Sequence, residues 1–265
     1  MIEHCLRLAL AGATDENYAS VVAMLTPADS LLRKSDKGSL VKALADDVQK
    51  AILLAGELST SAAASELKKE ELRKTLRSWQ FDEFFSDVSS LLYVSSDSGV
   101  ADGGRALWKF NKGRTTLSSP KRDASVGIMT PEQGLDRYLL RMQLSSNSTA
   151  AMLIFGAGPE QTLSSHLLTL DRSNFGQIAT VPAGTILLKP VAGGNVPTNG
   201  WNEIEVLVDG TQVNIRLNGN PVVSTQVPTL KPGRLGFLVP LDKANMASID
   251  LRRVRILRLP GSAEN

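Results

Sequence analysis

The chain has 265 residues, of which 42% are hydrophobic and 21% charged, a composition typical of folded globular proteins and not of disordered ones. It contains one cysteine, Cys5, and two histidines, His4 and His166, which excludes an internal disulfide and argues against a cysteine–histidine zinc site. Residues 1–99 include 11 basic and 15 acidic residues, a net charge of −4. Residues 100–265 include 18 basic and 12 acidic residues, a net charge of +6, so the overall charge of +2 conceals two segments of opposite sign.

Proline and glycine divide along the same line as the charge. Pro27 is the only proline before residue 99, whereas both residue types punctuate the remainder throughout. We therefore predict an α+β multidomain protein: an N-terminal α-helical bundle over residues 1–95 and an antiparallel β-sandwich over 100–260. The turn-rich segment 95–99 would join them.

Helices are predicted along the first domain at 3–11, 15–25, 28–33 (after Thr26-Pro27) and 39–58, with a helix-rich segment at 61–94 that breaks near Gln80. Over 39–58 the apolar residues recur at steps of three and four, which places them on one helical face. Trp79, Phe84 and Phe85 are expected in the core of this bundle. Nothing in this half indicates chemistry.

Short segments with alternating apolar and polar residues fill the second domain. Strands are predicted at 105–110, 124–129, 138–144, 150–155, 166–170, 176–181, 185–189, 202–208, 212–217, 222–226, 234–239 and 247–259. Asn218-Gly219 predicts a hairpin turn, because both residues tolerate positive φ. About a dozen strands without intervening helices indicate an antiparallel sandwich.

The last predicted strand, 247–259, alternates arginines with apolar residues except over 251–254, where the slip predicts a bulge. We interpret the arginines as the solvent-facing side of a sheet or a charged edge, in preference to a binding patch for nucleic acid or an anionic glycan. A single-strand nucleic-acid binder would interleave aromatic residues with the basic ones, and this strand does not.

The last sixty residues hold several motifs in a fixed order: Gly-Trp-Asn-Glu-Ile-Glu-Val at 200–206, Leu-Asn-Gly at 217–219, Gly-Arg-Leu-Gly-Phe at 233–237 and Ile-Asp-Leu-Arg-Arg-Val-Arg-Ile at 249–256. This order resembles the concanavalin A-like (laminin-G-like) jelly-roll domains, most closely the bacterial domains described as 3-keto-disaccharide hydrolases, which are related in fold to family 16 glycoside hydrolases. The resemblance covers about 106–259 and does not include the helical region. It implies a jelly roll in which Trp201 locks the inter-sheet core and Asn218-Gly219 turns a hairpin.

The chain departs from the hydrolase-like pattern at the positions where the resemblance would place the chemistry. It has Asn-Ser-Thr at 147–149 in place of Asn-Ser-Gly, with no arginine ending the strand that follows. The hydrolase-like domains have a strand with Glu-x-Gln that leads to an aspartate, and of this pattern the chain keeps only Asp171. Where those domains have Gln-Asp-His-Gly, the chain has Phe-Leu-Val-Pro at 237–240. The Glu-x-Asp-x-x-Glu motif of family 16 is also absent from the sequence. We therefore do not expect hydrolysis by the route of that family.

Four residues remain as weak catalytic candidates. Glu203 and Glu205 are two residues apart on a strand, so they share a face, as a catalytic carboxylate pair must. The same face would simply be exposed to solvent if Ile204, Val206 and Val208 point into the core. The other two candidates are Asp171 and His166. His166 alternates with Leu168 and Leu170, a pattern that favours a hydrogen-bonded core histidine over a general base.

Aromatic side chains able to stack on a sugar are few, and Trp108, Tyr138 and Phe175 are the ligand-binding candidates. No cofactor and no metal site are predicted. Calcium, which laminin-G-like domains commonly bind, needs several converging oxygens; its candidate ligands Asp102, Asp123, Asp136 and Asp242 are scattered and form no recognisable loop.

Three functions fit the sequence. The preferred one is a non-catalytic binding module for a glycan or protein; the alternatives are a carbohydrate-active hydrolase of the 3-keto-glycoside type and a structural subunit of a larger assembly. We expect no nucleic-acid partner and, without an apolar run of about 18 residues, no membrane span. The N-terminus is a poor signal peptide, whereas the family resemblance implies the cell envelope or secretion.

Overall fold

The computed structural model describes residues 2–34, 39–60, 66–85, 87–96, 101–111, 114–118, 124–131, 134–148, 151–158, 165–170, 175–181, 185–189, 200–241 and 248–259. The chain forms two compact units, Met1–Phe81 and Asp82–Asn265. The division lies before Asp82 and not at 95–100, because short strands between Asp82 and Ser95 pair with strands of the second unit.

The first unit is a helical bundle. Its described helices are α1 (Ile2–Thr14), α2 (Tyr18–Lys34), α3 (Ser39–Thr60) and α4 (Glu66–Arg77). α1 packs against α2 and α4, and α3 also packs against α2 and α4. Buried residues recur every three or four positions on each helix, as in Val21, Leu25, Ala28 and Leu32 of α2, which is the periodicity of one helical face.

Pro27 lies inside α2 and does not begin a new helix, so the two predicted helices at 15–25 and 28–33 are one. Proline costs one backbone hydrogen bond in a helix interior. Leu25 and Ala28, on either side of it, are fully buried, and we attribute the continuity of the helix to this packing. Asn17 caps α2, because its Oδ1 accepts from the backbone N of Ser20 at 3.2 Å.

The second unit is an antiparallel β-sandwich. In chain order its described strands are β1 (Asp82–Glu83), β2 (Leu92–Ser95), β3 (Trp108–Asn111), β4 (Arg114–Ser118), β5 (Ala124–Met129), β6 (Arg137–Ser145), β7 (Met152–Ala157), β8 (Ser165–Thr169), β9 (Ile178–Val181), β10 (Ile186–Leu188), β11 (Trp201–Asp209), β12 (Gln212–Leu217), β13 (Asn220–Gln226), β14 (Arg234–Leu241) and β15 (Ser248–Arg258).

These strands form two sheets. Sheet A has the order β13-β12-β11-β6-β15-β4-β3, with β1 also paired to β15, and sheet B has the order β10-β9-β8-β7-β14-β5-β2. Alternate residues of both sheets point into one shared core, as in β11, where Ile204, Val206 and Val208 are buried and the residues between them are not. The predicted sandwich is therefore confirmed.

The segment after α4 differs from the helix that its sequence predicts. α4 ends at Arg77, and β1 and β2 follow. The backbone N of Phe84 donates to the carbonyl of Val254 in β15 at 2.9 Å, and the Phe84 ring meets that of Phe237 at 5.4 Å. Phe84 and Phe85 thus belong to the core of the sandwich, while Trp79 is buried in the bundle and donates to Asp47 at 2.7 Å.

Two predicted backbone features are confirmed. Asn218 and Gly219 have φ of 51° and 81° and turn the β12–β13 hairpin. β15 changes register between Arg252 and Arg255, and Arg253 has a φ of 52°. The bulge falls where the neighbour of β15 changes from β4 to β1, and β15 is an interior strand, so its arginines lie on the face of a sheet and not at an edge.

One predicted strand, 105–110, begins differently. Residues Ala101–Leu107 form a 3₁₀ helix, and β3 starts only at Trp108. None of the helices in the described ranges is both long enough and apolar enough to cross a bilayer.

Candidate functional site

Glu203 and Glu205 lie on the outer face of sheet A, as their alternation with the inward residues predicts. Glu205 is engaged: Arg141 on β6, directly opposite in register, donates to its Oε1 at 2.5 Å. Glu203 is exposed. The carboxylate of Glu205 is held by Arg141, whereas a glycosidase keeps two carboxyl groups facing the scissile bond, so this arrangement does not resemble that of a glycosidase.

His166 lies on β8 among core residues. It is 7% exposed, its ring stacks on that of Phe155 at 5.7 Å, and its Nε2 is 2.9 Å from Oγ1 of Thr229. Burial lowers the pKa of His166, because desolvation disfavours the charged imidazolium. The neutral ring is thus a hydrogen-bonded part of the packing, as the alternation with Leu168 and Leu170 favours.

The remaining predicted acids do not form a site in the described part of the chain. Asp171, Asp123 and Asp242 lie outside the described residues, and for Asp102 only the backbone is described. Asp136 is partly buried next to β6. Within the described ranges, no group of three or more histidine, cysteine, aspartate or glutamate side chains is placed to hold a metal ion.

The three aromatic candidates for ligand stacking are all in the main core. Trp108, Tyr138 and Phe175 are 5%, 1% and 2% exposed, so none offers a ring face to a ligand at the surface. Burial also raises the pKa of the Tyr138 hydroxyl far above its usual value. Trp108 on β3 and Tyr138 on β6 lie on the inward side of sheet A, and Phe175 packs into the same core from the turn before β9.

Trp201 has the opposite placement to the one expected for it. It is the first residue of β11 and shares the outer face with Glu203, so it cannot lock the core between the sheets. Its indole is partly exposed. The guanidinium of Arg252 lies over the ring at 4.1 Å from the centroid, and that of Arg114 at 5.6 Å. Two cations from neighbouring strands therefore face one aromatic ring.

A pocket of about 360 Å³ opens beside this indole. It is lined by Arg114, Ser145, Ser146, Asn147, Gly200, Trp201 and Asp250. Arg114 on β4 holds Asp250 on β15 through two hydrogen bonds, one of them from Nε to Oδ1 at 2.8 Å. This ion pair raises the pKa of Arg114. The pocket thus combines hydroxyls, an amide, a charged pair and part of an indole.

Local hydrogen bonds fix the walls of the pocket. The backbone N of Ser146 donates to the carbonyl of Gly200 at 2.9 Å, which joins the end of β6 to the start of β11. The hydroxyl of Ser148 accepts from the backbone N of Asp250 at 2.9 Å. The walls therefore come from strand ends that the sheet itself holds in register.

Sequence reasoning missed this site for a definable reason. The outward position of Trp201 could have been found, since it is three residues from inward Ile204 and the side-chain period of a strand is two. The approach of Arg114, Asp250 and Arg252 to that ring depends on the order β11-β6-β15-β4, and only the folded sheet shows this order. Asn147, noted as a departure from the hydrolase-like pattern, lines the pocket.

No protein-family model matches the chain. No curated protein matches its sequence. Several solved structures resemble the fold. One, a native glycosidic hydrolase, is 13% identical with a TM-score of 0.48, and the match covers 69% of this chain and 96% of that protein. A Bacillus subtilis protein of unknown function with a galectin-like fold is 14% identical with a TM-score of 0.47, covering 66% and 92%.

The carbohydrate binding module CBM66 of Bacillus subtilis is 13% identical with a TM-score of 0.45, covering 62% of this chain and 93% of its own. At such identities and TM-scores, the function of the chain must be argued from the geometry of its own residues.

Proposed function

We propose that the sandwich unit is a non-catalytic carbohydrate-binding module and that the pocket beside Trp201 is its binding site. The observation that carries this proposal is the composition of the pocket: a partly exposed indole next to the Arg114–Asp250 pair and the polar residues 145–147. Saccharides present apolar C–H faces, which pack on aromatic rings, and hydroxyls, which both donate and accept hydrogen bonds.

The volume of the pocket and the fixed positions of its side chains also suit a small polar ligand. About 360 Å³ falls within the range of roughly 300–1,000 Å³ that is typical of ligand pockets. The cation–π contacts of Trp201 and the ion pair of Asp250 hold these side chains before a ligand arrives, so less conformational entropy is lost on binding.

Binding is favoured over catalysis by the state of the carboxylates. Asp250 accepts from Arg114, and Glu205 accepts from Arg141. A general acid must reach the leaving group to transfer its proton, and arginines hold both of these carboxylates instead. The site therefore lacks a described acid suited to protonating a leaving group.

A glycan array tests the proposal with the full chain. We expect the wild-type protein to bind at least one saccharide, and Trp201→Ala to weaken that binding by at least roughly tenfold, because a central tryptophan commonly dominates a binding site. Leu207→Ala is the matched control: it truncates another side chain on the same strand and the same face, outside the pocket.

Three outcomes would overturn the proposal. Binding to no saccharide would favour the protein-binding or structural alternatives. Equal losses of affinity in Trp201→Ala and Leu207→Ala, with circular dichroism showing that both variants are folded, would place the site elsewhere. Release of reducing sugar that is abolished by Glu205→Gln would establish the hydrolase instead.

A further inference from the structure

Arg252 has unused hydrogen-bonding capacity beside the proposed site. Its Nε donates to Oε1 of Gln143 at 2.7 Å, and its guanidinium lies on the Trp201 ring. Among the described residues, no acceptor is found for its four terminal N–H hydrogens and no carboxylate forms an ion pair with it. A cation held in a fixed plane, with its outer edge unoccupied, is suited to an anionic group.

The other outward arginines of β15 emphasise this difference. Arg255 pairs with Glu83 at 2.8 Å and Arg258 pairs with Asp82, so β1 supplies an acid to each of them. Arg253 is exposed on the bulge. Only Arg252 among the four packs against the indole that borders the pocket.

Asp250 does not cancel this charge, since it is bound by Arg114. The nearest exposed acid on the strand of Trp201 is Glu203. Gln143 on β6 lies between this acid and Arg252, because it is paired with Glu203 of β11 on one side and with Arg252 of β15 on the other. Gln143 therefore separates the two charges in the sheet. Glu203 should slightly oppose an anionic ligand without neutralising Arg252.

We infer that the saccharide bound beside Trp201 is acidic, with a uronic-acid carboxylate that accepts hydrogen bonds from the terminal N–H groups of Arg252. This inference rests on the proposed function and names the ligand class for the same site. A sugar ring in the pocket would extend past the indole, and its carboxylate would meet the guanidinium edge. Arg114, held by Asp250, would contact hydroxyls.

Calorimetry with paired probes tests the inference on the full chain. Each pair has the same linkage and length and differs in the C6 carboxylate: oligogalacturonate with oligogalactoside, and oligoglucuronate with cello-oligosaccharide. We expect one acidic probe to bind more tightly than its neutral partner, and more weakly as ionic strength rises. Arg252→Gln should weaken its binding by roughly tenfold to a hundredfold, the range for a charge-assisted hydrogen bond.

Two variants serve as controls. Arg253→Gln removes the same charge from the adjacent residue, which does not contact Trp201 in the described structure, and should change affinity less than about threefold, the effect of a screened surface charge. Glu203→Gln should tighten binding of the acidic probe, because it removes a nearby repulsive charge.

Some results would overturn the inference and leave the proposed function intact. A neutral probe that binds as tightly as its acidic partner, with affinity lost in Trp201→Ala but not in Arg252→Gln, would show a neutral saccharide site. Equal losses in Arg252→Gln and Arg253→Gln would show general charge attraction without a specific contact. Failure of every saccharide on the array would overturn both proposals together.

Discussion

At the scale of single residues, burial decides which polar and aromatic side chains can meet a ligand. Trp108 and Trp201 are both tryptophans at the first position of a strand of sheet A, yet the first is buried in the core and the second borders an open pocket. The difference follows from which side of the sheet each residue faces. Residue type alone did not distinguish them.

His166 links burial to a measurable pH dependence. Its pKa is lowered from 6.5 in the folded protein, so below about pH 6.5 the unfolded chain takes up a proton that the native state resists. Stability from this residue is therefore complete above pH 6.5 and is lost as the pH falls towards the lower folded pKa. The loss should not exceed about 1.4 kcal/mol per pH unit.

Urea unfolding between about pH 7.5 and 5.5 measures this effect. We expect His166→Gln to flatten the pH dependence over this interval. His4→Gln, which changes the exposed histidine of the helical unit, should leave it as in the wild type. Identical slopes in the wild type and His166→Gln would contradict the assignment.

At the scale of secondary-structure elements, the strands with a regular alternation of apolar and polar residues were predicted from the sequence. The strands that were missed are those whose conformation depends on pairing with a neighbouring strand. β11 and β12 were recognised within about one residue, because buried and outward positions alternate along them. β1 has two residues and β4 reads Arg-Thr-Thr-Leu-Ser, so neither shows a clear period. Their conformation is fixed by pairing with β15.

The close contact of β14 with β5 gives a prediction at this scale. A Cβ on Gly236 would lie 2.2 Å from the carbonyl oxygen of Ile128 and 2.9 Å from Cα of Met129, both backbone atoms of β5. Gly236→Ala should therefore lower the free energy of unfolding of the sandwich by about 2 kcal/mol or more, because the strands must separate.

Thermal and urea denaturation of the full chain measure this change. The comparison variant is Gly56→Ala in α3, where an added Cβ meets no atom within 4 Å. It should stabilise the helical unit by about 0.5–1 kcal/mol, since alanine favours a helix over glycine. A cost below about 0.5 kcal/mol for Gly236→Ala would show that the two strands are less closely packed than described.

At the scale of the whole molecule, the true division of the chain removes an apparent charge asymmetry. Residues 1–81 carry 11 basic and 11 acidic residues, and residues 82–265 carry 18 and 16, so the units have net charges of 0 and +2. The predicted domains had −4 and +6 because Asp82, Glu83, Asp87 and Asp97 were counted with the helices. Two of these acids in fact neutralise arginines of β15.

This redistribution removes one of the features that fit a structural subunit, an opposite charge balance between the two halves of the chain. It leaves the pocket beside Trp201 as the feature that most directly suggests a function. The scaffold was predictable from alternation and turns, whereas the site was not, because it is assembled from β4, β6, β11 and β15 across sheet A.

Quenching of tryptophan fluorescence by acrylamide tests this central claim most directly. Trp79 and Trp108 are 3% and 5% exposed, so Trp201 should dominate the accessible emission. A saccharide identified on the array should protect the wild-type protein from quenching and should have no such effect on Trp201→Phe. Quenching that stays unchanged in the wild type while the saccharide is demonstrably bound would contradict binding at this pocket.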